Sequence, residues 1–157
     1  MYPFTHLIYA SVAALFGFQT GLISVFGAVV LVLLSVLVDI DHLICFNNKN
    51  KDWNLKRCWN YCIASDLTQE DMIFHKRKFV IPALLISIFL YLIWSSIGYV
   101  FLAGLAVHYV LDFVHFHMIY RKQTHLGLKI FGLKTPLHIY ELVADATGLG
   151  LLIALIL

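Results

Sequence analysis

The chain has 157 residues, of which 61% are hydrophobic and 13% charged, and its mean hydropathy is +0.86. Soluble domains run at roughly 45–50% apolar and about 25% charged, so this composition excludes an ordinary water-soluble globule and implies an integral membrane protein. A formal net charge of +2 is too small to draw a polyanion by bulk electrostatics, and nucleic acid is not expected as a partner.

Five apolar stretches, 4–18, 21–40, 79–95, 98–119 and 138–157, approach the ~20 residues with which a helix crosses a bilayer. The first is short, and Gln19–Thr20–Gly21 turns it tightly into the second. No basic residue precedes it and "FGFQTG" is a poor cleavage site, so it is expected to remain in the mature protein. Residues 43–78 form the largest polar excursion. There "DWNLKRCWNYCIASDLTQEDMIF" mixes Trp53, Trp59 and Tyr61 with charge, as an interfacial helix does with its rings at headgroup depth. Asp66, ahead of Gln69 and Glu70, marks the start of a second short helix. Residues 120–137, with Gly127, Gly132 and Pro136, read as a loop into the last stretch. No repeat or linker divides the chain. The expected fold is a single all-α domain, 1–157: a bundle of about five transmembrane helices with an interfacial helical segment between the second and third.

All eleven Lys and Arg lie in two loops, seven between the second and third stretches and four between the fourth and fifth. The positive-inside rule puts both loops in the cytoplasm, which predicts N-inside and C-outside in the inner membrane of a prokaryote. Cys45, Cys58 and Cys62 then face a reducing compartment and disulfides are not expected. Cys58 and Cys62 share a helical face, but two ligands make a weak metal site, and buried Cys serves well as a small hydrophobe.

With that topology the acids and histidines gather in one leaflet. His6 starts the first stretch, "DIDH" (Asp39 to His42) ends the second, and His75 precedes the third. His108, Asp112 and His115 form an i, i+4, i+7 stripe on the fourth, with His117 on the opposite face. His138, Glu141 and Asp145 form an i, i+3, i+7 stripe on the fifth. Asp39 and His42 share a face, and Asp41 joins them if the helix unwinds there. Residues 7–38, 79–107 and 146–157 contain no Asp, Glu, Lys, Arg or His. An ionised group at helix centre costs about 2.5–3.5 kcal/mol even on insertion scales, so such groups face inward and have partners. No Lys or Arg lies within the helices to pair with these carboxylates, and a divalent metal is the economical counter-charge. Mixed imidazole and carboxylate donors suit Zn, with Mn or Fe as alternatives, in one or two ions. His6 and "DIDH" also have bland readings, as an interfacial residue and a helix end; the deep pair His108 and Asp112 does not.

In order along 1–116, "THLIYA", "VDIDH", "FHKRKF" and "AGLAVHYVLDFVH" resemble the motifs of the YdjM-like family of membrane-bound, metal-dependent hydrolases. The resemblance implies a small multi-helix inner-membrane protein whose motif positions here are His6, Asp39, Asp41, His42, His75, His108 and Asp112. Two departures stand out: Val80 where the family often has a second histidine, and Val38 where it usually has proline before DxDH. A looser analogy is to helical zinc phospholipases C. The expected metal ligands are these seven residues and His138, with Glu141, or Asp145 behind it, as general base. Metal-activated water would then hydrolyse a phosphate or ester bond near lipid headgroups. The alternatives are a non-enzymatic scaffold with a structural metal and a metal-ion transporter, which would need a polar path through both leaflets. A haem carrier would want histidines at matching depth, and only His108 is deep.

Overall fold

Gly21, with φ of 71°, ends the first helix: its N–H reaches Phe18 O at 3.0 Å and the Leu22 N–H reaches Gly17 O at 2.9 Å. This is the glycine-ended Schellman pattern, which satisfies carbonyls that the helix would otherwise leave open. Three residues later the Ser24 hydroxyl accepts from the Gly27 N–H at 3.2 Å and caps the next helix. The structure, a computed structural model, describes residues 3–64, 72–114, 129–130, 133–134 and 137–157.

Its helices are α1 (Pro3–Gln19), α2 (Val25–Leu37), α3 (Ile40–Asn50), α4 (Leu55–Ala64), α5 (Arg77–Ile93), α6 (Ser95–Val114) and α7 (Leu137–Ile156). The only strands among the described residues are the two-residue pieces β1 (Lys129–Ile130) and β2 (Leu133–Lys134), which pair antiparallel within the stretch expected as loop. The protein is therefore all-helical in architecture. Two helical stretches, Val25–Asn50 across the α2–α3 junction and Ser95–Val114, are long and apolar enough to cross a membrane. Phe4–Gln19, Lys78–Ile93 and Leu142–Ile156 are apolar but shorter.

The sequence reading ends the second apolar helix at residue 40, whereas helix resumes at Ile40 and runs to Asn50. That correction has a local cause. At Val38–Asp39 the ladder tightens to i→i+3 bonds, Asp39 N–H to Val36 O at 3.2 Å and His42 N–H to Asp39 O at 3.1 Å, so the chain kinks without leaving helical direction. Lys51, in the left-handed region with φ of 54°, stops α3. The side chain of Asn54 then accepts from the Arg57 N–H at 3.0 Å and starts α4, which packs on α3 where the interfacial helix was expected. The second short helix expected after Asp66 lies outside the described residues.

α1, α2 and α6 pack on one another around Ala10, Ala14, Ile23, Leu31 and Val100, with α5 against α6 and α7 against α1. α5 and α6 form a hairpin turned at Trp94, and Gly98 lies so close to the Tyr91 backbone that a Cβ there would overlap it. α1 and α7 run parallel, since the Tyr9 hydroxyl donates to Ala144 O near their start and the Gln19 amide donates to Leu155 O at their end. Large aliphatic and aromatic side chains face outward: Phe26 and Leu92 are each 77% exposed, with Leu85, Phe89, Val110 and Leu142 beside them in character. The fully buried side chains include His6, His108 and Asp41. This inversion, apolar outside and ionisable inside, places the polar site in the helix bundle.

Candidate metal centre

The kink at Val38–Asp39 lets three of the four "DIDH" residues serve one pocket. In an unbroken helix Asp41 would point well away from the Asp39–His42 face. Here its carboxylate reaches both His42 and the short segment ahead of α5. Oδ1 accepts from His42 Nδ1 at 3.1 Å, and Oδ2 accepts from His75 Nδ1 and the Phe74 N–H, each at 2.9 Å. The Tyr109 hydroxyl, on α6, donates to Phe74 O at 3.0 Å. The segment carrying His75 is thereby tied to α3 and α6.

His75 Nε2 then faces inward, 2.9 Å from Asp112 Oδ2 and 3.1 Å from His108 Nε2. His108 and Asp112, one helical turn apart on α6, are themselves 3.1 Å apart through Nε2 and Oδ2. The other ring nitrogen of His108, Nδ1, donates to Ser35 O on α2 at 2.7 Å, which fixes its tautomer and leaves the Nε2 lone pair to the pocket. His6 enters from α1, its ring stacked on His108 with centroids 4.3 Å apart. It is fully buried, and its Nε2 stands 3.2 Å from Asp112 Oδ1 in a geometry that makes no hydrogen bond; its Nδ1 is unpartnered as well. Asp39 completes the ring, with Oδ2 3.8 Å from His6 Nε2 and Oδ1 3.8 Å from His108 Nε2.

These residues fit a divalent cation. One donor atom from each of His6, Asp39, His108 and Asp112 lies within 4.8 Å of the others, and the same holds for Asp39, His42 and His75. A buried imidazole with neither nitrogen hydrogen-bonded is unfavourable unless something takes its lone pair. No Lys or Arg among the described residues pairs with Asp39 or Asp41. Without a metal the positive charge falls on His75. Burial opposes it, but the hydrogen bonds to Asp112 and Asp41 and the charges of both carboxylates prevail, and the ring is pushed from the ordinary 6.5 up to about 10.

Of the residues picked from sequence, the fold thus brings His6, Asp39, Asp41, His42, His75, His108 and Asp112 together. Asp41 occupies a different place from the one expected. It stands behind His42 and His75 on their Nδ1 side and orients them, the role that outer carboxylates play toward metal-binding imidazoles. Asp41→Asn is accordingly expected to weaken metal affinity by about 10–100-fold without abolishing binding, as measured by calorimetric titration of the purified protein. Asp145 lies apart from the cluster: it faces Tyr9, one turn along α1 from His6, and makes no hydrogen bond or ion pair to the cluster among the described residues. The side chains of His138 and Glu141 lie outside the described part of the structure, as do those of Cys62, His115, His117 and His125. Residue 141 itself sits on α7 at the level of Thr5 and His6, by the α1–α7 register that pairs Tyr9 with Ala144.

Three supporting groups escaped the sequence reading. Ser35 and Phe74 act through backbone atoms, which carry no side-chain signature. Tyr109 stands beside His108 in sequence, but only the folded segment shows that its hydroxyl reaches residue 74. No family model, curated protein or solved structure matches the chain.

Proposed function

We propose that the chain is a membrane-bound, metal-dependent hydrolase, and one observation carries this reading: the His/Asp centre is closed behind and open in front. His6, His108 and Asp41 are at most 1% exposed, whereas Asp39 and Asp112 are 16% and His42 28% exposed at the side-chain level. A structural metal site closes its shell; a catalytic one keeps a side free for water and substrate. When bound, a divalent cation acidifies water and polarises a phosphoryl or carbonyl oxygen. His6, Asp39, His42, His75, His108 and Asp112 would supply the metal's ligands, while Asp41 and Ser35 fix the ring orientations. Glu141, at the level of His6 along α7, would act as the general base toward water. The order of motifs that resembles the YdjM-like family supports the same assignment.

The apolar exterior supports a bundle of five membrane-spanning helices, with α2 and α3 forming one kinked span. The parallel course of α1 and α7 agrees with an odd number of crossings. The positive-inside rule applied to the basic loops favours a centre in the cytoplasmic leaflet of a prokaryotic inner membrane, N-terminus inside. Lys76 and Lys78, exposed next to His75, would draw an anionic headgroup, which makes a phosphate or ester bond of a lipid-like molecule the favoured substrate.

A second reading, a scaffold with a structural Zn, is favoured by the fact that His6, Asp39, His108 and Asp112 alone supply four donors. Turnover separates the two. Purified protein, metal-loaded and metal-stripped, is assayed against a panel of phospholipid-like phosphate mono- and diesters and carboxyl esters. Metal-dependent hydrolysis that is lost in Glu141→Gln with metal retained is the expected result. A metal that raises thermal stability with no hydrolysis across the panel would leave the scaffold.

A further inference from the structure

Resting on the metal-centre reading above, we infer that the cluster holds two cations that share the Asp39 carboxylate. Asp39 belongs to both donor sets, the inner one with His6, His108 and Asp112 and the outer one with His42 and His75. Its Oδ2 faces His6 at 3.8 Å, and its Oδ1 stands at the junction of the two sets, 3.8 Å from His108 Nε2, 3.9 Å from His75 Nε2 and 3.4 Å from the His42 ring. A carboxylate oriented so can ligate one ion through each oxygen.

Charge points the same way. Asp39, Asp41 and Asp112 carry three negative charges in a pocket to which the helices contribute no Lys or Arg. Divalent cations offset these charges, and a second ion adds positive charge, the sign that admits an anionic substrate or hydroxide. The inner set is fully supplied, with His6 buried and both its nitrogens unpartnered, so it is the site that fills first. The outer set has three donors and the more exposed His42, so it is the position left open to ligands from outside. Paired ions about 3.5–4 Å apart are the arrangement that clamps both oxygens of a phosphoryl displacement.

The test uses the full chain in detergent, stripped and then saturated with Mn²⁺, with bound metal measured by elemental analysis and the spins by electron paramagnetic resonance. Two equivalents per chain with an exchange-coupled spectrum are expected. His42→Ala, at the exposed edge of the site, should retain one equivalent and show the uncoupled six-line signal. One equivalent in the parent protein overturns the pair and leaves a mononuclear hydrolase standing, and two equivalents without coupling overturn the shared Asp39. No bound Mn²⁺ removes both the pair and the metal centre. A coupled pair without hydrolysis keeps the inference and sinks the enzymatic reading alone.

Discussion

Replacing Asp112 by Asn empties the centre. The Asp112 carboxylate lies 3.2 Å from His6 Nε2, 2.9 Å from His75 Nε2 and 3.1 Å from His108 Nε2, so it touches three of the four imidazoles that converge there. Asparagine has nearly the same size but no charge, and its amide NH2 would face at least one nitrogen lone pair. Removing one partner from a buried ionic set costs about 3–5 kcal/mol. Expressed as metal affinity this is a loss of roughly 10²–10⁴-fold, since each factor of ten is about 1.4 kcal/mol. Asp145→Asn is the control, because Asp145 makes no hydrogen bond or ion pair with the cluster among the described residues, and the variant should bind metal as the parent does. Equal loss in both variants, measured as metal per chain after dialysis, would mean that the bundle rather than the site had been damaged. Full retention in Asp112→Asn would place the ion elsewhere.

Metal uptake by the parent protein is expected to tighten steeply as pH rises. In the metal-free state His108 donates through Nδ1 to Ser35 O, and His75 Nε2 faces the Asp112 carboxylate at 2.9 Å, to which it donates. His75 also donates through Nδ1 to Asp41, so it carries both ring protons and is the cation that balances the carboxylates. Its pKa, raised to about 10, means that a ligating metal must displace a proton throughout the neutral range. Apparent affinity should therefore rise about tenfold per pH unit from about pH 7 to about pH 9, with about one proton released per chain. The metal-free protein should behave in the opposite sense. A histidine whose folded pKa lies above its unfolded 6.5 contributes stability that is complete below that value and is lost as pH climbs toward about 10. Thermal unfolding of stripped protein should fall across this window while metal-saturated protein holds steady. Calorimetric titrations in buffers of different ionisation enthalpy count the proton, and an affinity independent of pH would rule out His75 as the group displaced.

The helical character of the chain and the pairing of His108 with Asp112 were legible in the sequence. Both follow from local rules: apolar runs without polar interruption, and the i, i+4 spacing that puts His108 and Asp112 on one face of a single rigid helix. His6, His42 and His75 could be assigned to the same end of the bundle by alternating the helix directions. What lay beyond the sequence was how groups from different elements face one another. That Asp41 stands behind His42 and His75 depends on the i→i+3 tightening at Val38–Asp39, a backbone adjustment that no residue type there demands. That His108 presents Nε2 rather than Nδ1 depends on the carbonyl of Ser35, an atom every residue possesses, brought close by the packing of α2 on α6. The separation of Asp145 from the site has the same origin. Its stripe on α7 is regular, but α7 packs along α1 with Tyr9 at the level of Ala144, so Asp145 falls one turn beyond His6. Periodicity within one helix determines which side chains share a face; the rotation and register between helices, set by close packing of side chains from distant parts of the chain, decide which of those faces meet.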